Sequence, residues 1–305
     1  MALDGLLVID KPAGPTSHDV VQRVRRVLKT RRVGHGGTLD PDATGILLVA
    51  AGQATRFFPF LSKERKVYAG VIRLGFATDT YDASGRPASA PAAVLPGRDG
   101  VAEAMAGFVG DILQVPPRYS AKKIDGRPGY ELARAEREFS LAPVPVTVLR
   151  FDLMDFRPPD VLFEAECTAG TYVRSLAHDL GQRLGCGAHL ASLRRTRVGP
   201  YDLAAAVTLE AFEDAGARGQ AEALIIPLER LLPDTPAAVV KPEAEAFVRH
   251  GRPLGPGDLV SAPPAPDGPG GAAGLVRLFA ADGRLMALSR PAPGGTALHP
   301  FLVLA

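Results

Sequence analysis

Apolar residues recur along this chain in three rhythms, and each predicts a different element. Short unbroken runs stand at Leu6–Ile9 and at Ile46–Ala50. Bounded by turn residues, they predict short strands, the second of them buried. Between Lys66 and Leu74 the pattern alternates, which places Tyr68, Gly70, Ile72 and Leu74 on one face of a strand. Helical spacing appears in Val20, Val21, Val24, Val27 and Leu28, and again in Val173, Leu176, Ala177, Leu180 and Leu184. Ser17 is expected to cap the first helix, with Asp19 in its first turn. Gly185 suits the position beyond the end of the second. Arg174 sits beside the apolar stripe near that helix's N-terminus, where the dipole disfavours a cation, so a neighbouring acid or phosphate is expected.

The remaining pattern adds a short helix within Gln53 to Leu61 and helical spacing in Val101, Met105, Phe108 and Val109. Strands follow at 144–156 and 161–168, then a helical region from Leu209 to Leu224. Residues 86–98, rich in Pro and Ala, read as a surface connection, and Tyr130 to Arg134 as the start of a short helix. The tail differs in character. A short helix is expected from Glu243 to His250, and Asp282-Gly283 between two apolar runs predicts a hairpin. The Pro/Gly-rich stretch at 262–274 reads as a long turn or insertion. We divide the chain into a main domain, 1–234, and a strand-rich accessory domain, 235–305.

Composition narrows the class. The chain has 305 residues, 46% of them hydrophobic, which is enough for a substantial core. A formal charge of +2 does not by itself select nucleic acid, so local distribution matters more. Basic residues gather at Arg23, Arg25, Arg26, Lys29, Arg31 and Arg32, in the segment from Arg118 to Arg127, and at Arg194, Arg195 and Arg197. The second cluster surrounds Tyr119 and suits a nucleic-acid-facing flap, with Lys122 and Lys123 near phosphates. Two cysteines, no signal-peptide pattern and no membrane-spanning run lead to the expectation of a cytoplasmic protein with reduced thiols and no membrane association. Six scattered histidines compel no metal.

The chemistry concentrates in the glycine-dense loop Gly34-His35-Gly36-Gly37-Thr38-Leu39-Asp40-Pro41-Asp42-Ala43-Thr44-Gly45. Glycines allow close backbone approach, and Pro41 biases Asp40 towards an extended conformation, which suits a carboxylate at the edge of a cleft. Asp79 and Asp82 lie in another turn and read as structural. Taken alone, these residues leave a non-enzymatic RNA-binding or RNA-folding module open, as well as a hydrolase using Asp40, Asp79 and Asp82 around a metal.

In order along the chain, Asp10-Lys11-Pro12, Gly34-His35, Gly37-Thr38-Leu39-Asp40-Pro41, Lys66-x-Tyr68, Thr78-Asp79-Thr80, Pro116-Pro117-x-Tyr119 and Gly170-Thr171-Tyr172-Val173-Arg174 resemble the TruB family of tRNA pseudouridine synthases. The resemblance implies an α/β fold with a mixed, largely antiparallel sheet core, flanking helices and a small PUA-like C-terminal domain. It implies conversion of uridine-55 to pseudouridine in the T stem-loop of tRNA after nucleotide flipping, with no cofactor and no obligate protein partner. By it, Asp40 is the nucleophile, Tyr68 supports the base, and Arg174 orders the carboxylate. Tyr172 and Leu193 line the uridine pocket, and His35 supports the everted nucleotide. Lys11 steadies the neighbouring core or RNA-facing loops. One departure is Gly36, where family members commonly carry a small hydroxyl or other non-glycine residue.

Overall fold

A computed structural model describes residues 3–119, 141–261, 274–292 and 297–304, together with the backbone of 123–124 and 127–128. Two sheets carry the fold. The larger has eleven strands in the order β12-β1-β3-β10-β4-β9-β8-β5, with β2 paired to β3, β11 to β10 and β13 to β1. Its main strands are β1 (Gly5–Lys11), β2 (Val33–Gly36), β3 (Thr44–Ala51), β4 (Lys66–Leu74), β5 (Gly110–Gln114), β8 (Val144–Arg157), β9 (Asp160–Cys167) and β10 (Ala188–Val198). The short strands β11 (Tyr201–Asp202), β12 (Val207–Thr208) and β13 (Ile226–Pro227) complete it. Pairing is antiparallel except at β1–β12 and β3–β10. A separate two-stranded pair is formed by β6 (Lys123–Ile124) and β7 (Arg127–Pro128).

Burial explains the three rhythms. Along β1, Leu7 and Ile9 face α1 (Ser17–Leu28), whereas Leu6 and Val8 join the opposite cluster. Along β3, Leu47 and Val49 face one way and Ile46 and Leu48 the other. Strands covered on both faces need apolar residues at every position, hence the unbroken runs. By contrast β9 alternates, burying Val161, Phe163, Ala165 and Cys167 against α4 (Val173–Arg183) and α3 (Arg98–Ala106). Helix α2 (Phe58–Leu61) continues a 3-10 turn at Gly52–Phe57, and α5 (Leu209–Ala217) packs beside α1. Phe108 and Val109 fall beyond the end of α3.

The second sheet has the order β15-β14-β16-β17-β18. Its strands are β14 (Ala237–Val240), β15 (Leu259–Ser261), β16 (Val276–Phe279), β17 (Leu285–Pro291) and β18 (Leu298–Val303), with α6 (Glu245–Arg249) alongside. The hairpin at Asp282-Gly283 forms as expected, Gly283 taking φ +86°. Leu285, Leu288 and Leu302 share an apolar cluster with Ile46 and Leu48, which seats the small sheet against the large one.

Two local expectations need correction. Thr16, not Ser17, caps α1: its side chain accepts from the Asp19 amide while the Asp19 carboxylate takes the Thr16 amide. Ser17 is buried and bonds both the amide and the carbonyl of Leu39, each at 2.9 Å. Gly34-His35-Gly36, read as loop, belongs to β2 and pairs with β3. The expected helix at Tyr130 to Arg134 and most of the 262–274 stretch lie outside the described residues.

Candidate active site

Asp40 sits in the loop joining β2 to β3, and that loop is fastened carbonyl by carbonyl. Arg195, on β10 and 1% exposed, donates to Gly37 O at 3.0 Å, Thr38 O at 3.4 Å and Ile46 O at 2.7 Å. Ser17 takes Leu39 O, and the Ala43 amide takes Asp40 O at 3.1 Å. Lys11 at the end of β1 is fully buried and donates to Pro12 O, Pro41 O and Ala43 O at 2.7–2.8 Å. Burial pushes the Lys11 ammonium down to about 8. Gly45 permits the arrangement, since at φ +96° a Cβ there would lie 2.2 Å from the Arg195 carbonyl oxygen.

The loop presents the Asp40 carboxylate to Arg174 in the first turn of α4. Arg174 Nε lies 3.0 Å from Asp40 Oδ2, and Nη2 donates to Asp40 Oδ1 at 3.3 Å and to Tyr119 O at 2.8 Å. Nη1 donates to Thr80 O and to Asp82 Oδ2, each at 3.3 Å. Each of the three nitrogens therefore faces an acceptor, and two carboxylates supply the acid that a cation at this helix end requires. Burial pushes the Asp40 carboxyl above the ordinary aspartate value; Arg174 opposes that push, and nearby Asp82 adds to it. The Asp40 side chain keeps 43% exposure, directed at a cleft rather than sealed away.

That cleft has two compartments that share Asp40, Arg174, Thr38 and Leu193. The inner one, about 260 Å³, is also lined by Tyr68, Tyr172, Lys66 and Arg195. The outer one, about 490 Å³, is lined by Asp42, Asp82, Tyr119 and Ser192 among others. Burial raises the Tyr68 phenol still further above its usual value, with Arg195 opposing, so at neutral pH the ring is a protonated platform. Tyr172 is held from behind by the fully buried Gln114, whose side chain accepts from the Tyr172 amide at 2.7 Å and donates to its carbonyl at 3.1 Å.

Asp40, Tyr68, Arg174, Tyr172 and Leu193 thus converge on one pocket. Tyr119 lines the outer compartment and contributes its carbonyl to Arg174. Lys11 works behind the loop. His35 lines neither compartment; its Nδ1 is buried without a hydrogen-bond partner, and burial lowers its pKa. Beside it, Gly36 is explained by packing, because Cβ atoms at Gly34 and Gly36 would each stand 3.0 Å from the Phe58 ring. The side chains of Lys122 and Lys123 lie outside the described residues.

Three readings change. Asp82, taken as a structural turn residue, belongs to the site through Arg174. Asp79 does not: its carboxylate accepts from the Arg86 amide at 2.8 Å. With a guanidinium between Asp40 and Asp82, the three aspartates are no metal triad. Among the described residues no group of three or more His, Cys, Asp or Glu could hold an ion. Finally, the basic clusters are partly structural. Arg23 pairs with Glu213, Arg25 donates to Val33 O, Arg194 pairs with Asp10 at 2.7 Å, and Arg195 is interior. Arg195 and Gln114 carried no signal of burial in the sequence beyond lying in or beside apolar strands.

A carboxylate fixed by a buried guanidinium, with an aromatic side chain in the same pocket, makes the cleft the candidate active site. Structural neighbours then set the class. The protein solved as "Structure of H/ACA RNP bound to a substrate RNA containing 2'-deoxyuridine" matches 99% of this chain and 85% of its own, with a TM-score of 0.74 and 28% identity. A "Cbf5-Nop10-Gar1 Complex" matches 98% and 84%, again at 0.74, with 29% identity. Residues 25–173 match the TruB family pseudouridylate synthase N-terminal domain, and 174–233 the tRNA pseudouridylate synthase B C-terminal domain. A "tRNA pseudouridine synthase B" of Burkholderia mallei (strain NCTC 10247) is 42% identical over 308 residues, covering 99% of this chain and 98% of its own. Its counterpart in Solibacter usitatus (strain Ellin6076) is 45% identical over 250 residues, covering 82% and 85%. The chain belongs to the TruB family of pseudouridylate synthases.

Proposed function

We propose that this protein converts uridine-55 in the T stem-loop of tRNA to pseudouridine, with Asp40 as the nucleophile. The observation that carries the reading is the Arg174–Asp40 pair at 3.0 Å on the wall of the pocket that also holds Tyr68. Isomerisation breaks the bond between N1 of the base and C1′ of the ribose, turns the base, and joins C5 to C1′; C5 gives up its proton and N1 takes one up, so the composition is unchanged. Whether the carboxylate attacks or electrostatically stabilises the electron-poor centre, it must be ionised and aimed. Arg174 supports both needs by opposing the effect of burial on Asp40. Tyr68, its phenol pushed towards the protonated form by burial, serves as a platform for the base. Tyr172 and Leu193 complete the walls, and His35, with Tyr119 and the segment carrying Lys122 and Lys123, serves RNA outside the pocket.

A stacked uridine cannot reach a recessed carboxylate, so the nucleotide turns outwards at a cost of a few kcal/mol, which protein–RNA contacts offset. Exposed Arg26, Lys29, Arg31 and Arg32 supply charge for the phosphate backbone. We read residues 235–305 as a PUA-like RNA-binding module and the working compartment as the cytoplasm. The test is nucleoside analysis of a folded T-arm RNA after incubation with the protein in excess chelator. Pseudouridine at the single T-loop position is expected; its absence from a correctly folded substrate would overturn the reading.

A further inference from the structure

Tyr81 has a backbone conformation that tyrosine rarely adopts. Its φ is +67°, in the left-handed region, where a bulky residue is an outlier and glycine is at home. It lies between Thr80 and Asp82, the two residues that present a carbonyl and a carboxylate to Arg174 Nη1. The left-handed turn makes that convergence possible. The backbone on either side of Asp82 is pinned to β10, since the Leu190 amide donates to Tyr81 O at 2.9 Å and the Ala83 amide to Leu190 O at 3.0 Å.

What a tyrosine adds at a site suited to glycine is its ring. It stacks on His178 with centroids 3.8 Å apart and planes inclined by 14°. His178 stands one helical turn beyond Arg174 on α4, and residues four apart share a helix face. No hydrogen bond fixes His178 Nδ1, which is buried and unpartnered, so among the described contacts the stack is what locates that ring. Burial also keeps the imidazole towards its neutral form.

We propose that the Tyr81–His178 stack is a positioning device for the reaction. It locks the 78–85 loop to the helix that carries Arg174 and so sets the angle at which Arg174 holds Asp40. Neither ring touches the reacting atoms; both act through Arg174 and Asp82. The inference rests on the reading of Asp40 and Arg174 as catalytic groups.

Tyr81→Gly separates the stack from the backbone, because glycine takes a φ of +67° without strain. In single-turnover assays at saturating T-arm RNA, this variant is expected to fold with an unreduced thermal midpoint. It should bind RNA within about twofold of wild type and react about tenfold or more slowly, as misplaced catalytic groups do. Tyr81→Phe, which keeps the ring, should recover most of the rate. His178→Leu should match Tyr81→Gly, and the double variant should be no slower than either, because the two rings act as one unit. A folded Tyr81→Gly that reacts at the wild-type rate, or whose loss lies wholly in RNA affinity, overturns the proposal. Should that variant fail to fold, His178→Leu decides by the same criteria. A wild-type protein that forms no pseudouridine defeats the functional reading instead, so the two failures are distinguishable.

Discussion

Two groups of cations flank the same loop and are put to opposite uses. Lys11, Arg174 and Arg195 are buried and face carbonyls and carboxylates of the protein itself. Arg26, Lys29, Arg31 and Arg32 are exposed at the end of α1 and in the segment that follows. A buried cation is fixed by the acceptors that offset its lost hydration, so it can hold a loop in one geometry. An exposed one keeps its water and its freedom, which suits long-range attraction of a polyanion and confers little rigidity. The Asp40 loop is therefore held by the first kind, and a surface that attracts a polyanion would use the second.

The largest effect should come from the group that the buried cations hold. Asp40→Asn is expected to retain most RNA affinity while single-turnover chemistry falls by at least about 10³-fold, roughly 4 kcal/mol of barrier. Asp42→Asn, one turn of the loop away, should be far milder. Equal losses in the two variants would mean that the acidic loop works collectively and that the buried cations do not single out Asp40.

Next in size is the clamp. Arg195→Met removes the side-chain donor of Gly37 O, Thr38 O and Ile46 O, and unsatisfied buried acceptors cost about 1–3 kcal/mol each. A loss of about 3 kcal/mol in urea unfolding is expected, together with slower chemistry. A stability change under about 0.5 kcal/mol, the range of ordinary surface substitutions, would place Arg195 with the exposed group.

Lys11 offers a pH test with a definite sign. Its pKa in the fold, about 8, lies below the ordinary lysine value of 10.5. Between those values the unfolded chain holds a proton that the folded protein has released, so this group makes stability rise with pH across that window. Relative to Lys11→Met, the wild type should gain stability from pH 8 to 10. Activity should move the other way, because a neutral amine has two N–H donors for three carbonyls. Lys66, also pushed by burial to about 8, titrates in the same range, so Lys11→Met should remove only part of the alkaline fall in rate. A rate flat from pH 7 to 10 in the wild type would show that the loop does not depend on the ammonium.

The smallest effect on the fold should come from the exposed set. Arg26→Ala with Arg31→Ala and Arg32→Ala should change stability by no more than about 0.5 kcal/mol. If all three meet phosphates, the slope of log affinity against log salt should fall by about 2 to 3. An unchanged slope in a binding titration would leave these residues as solvated surface.

The sequence by itself determined the local structure and the place of the candidate site. Unbroken apolar runs marked β1 and β3, alternation marked β4 with Tyr68 on its buried face, and helical spacing marked α1 and α4. The motif order located Asp40, Tyr68 and Arg174, and even the misplaced charge at the start of α4 announced a missing acid. Those signals are short-range, because periodicity and capping depend on neighbours a few residues apart. Tertiary structure alone decided which polar residues are interior. Arg195 reads as one member of a basic cluster until β10 lies beside β3 and brings its guanidinium to Ile46, 149 residues away. Asp82 reads as a turn aspartate until α4 delivers Arg174 from 92 residues downstream. Ser17 reads as a cap until the Asp40 loop folds over it. Burial of a charge is settled by elements far apart in the chain, and so is the loss of water that turns a charged side chain into a structural clamp.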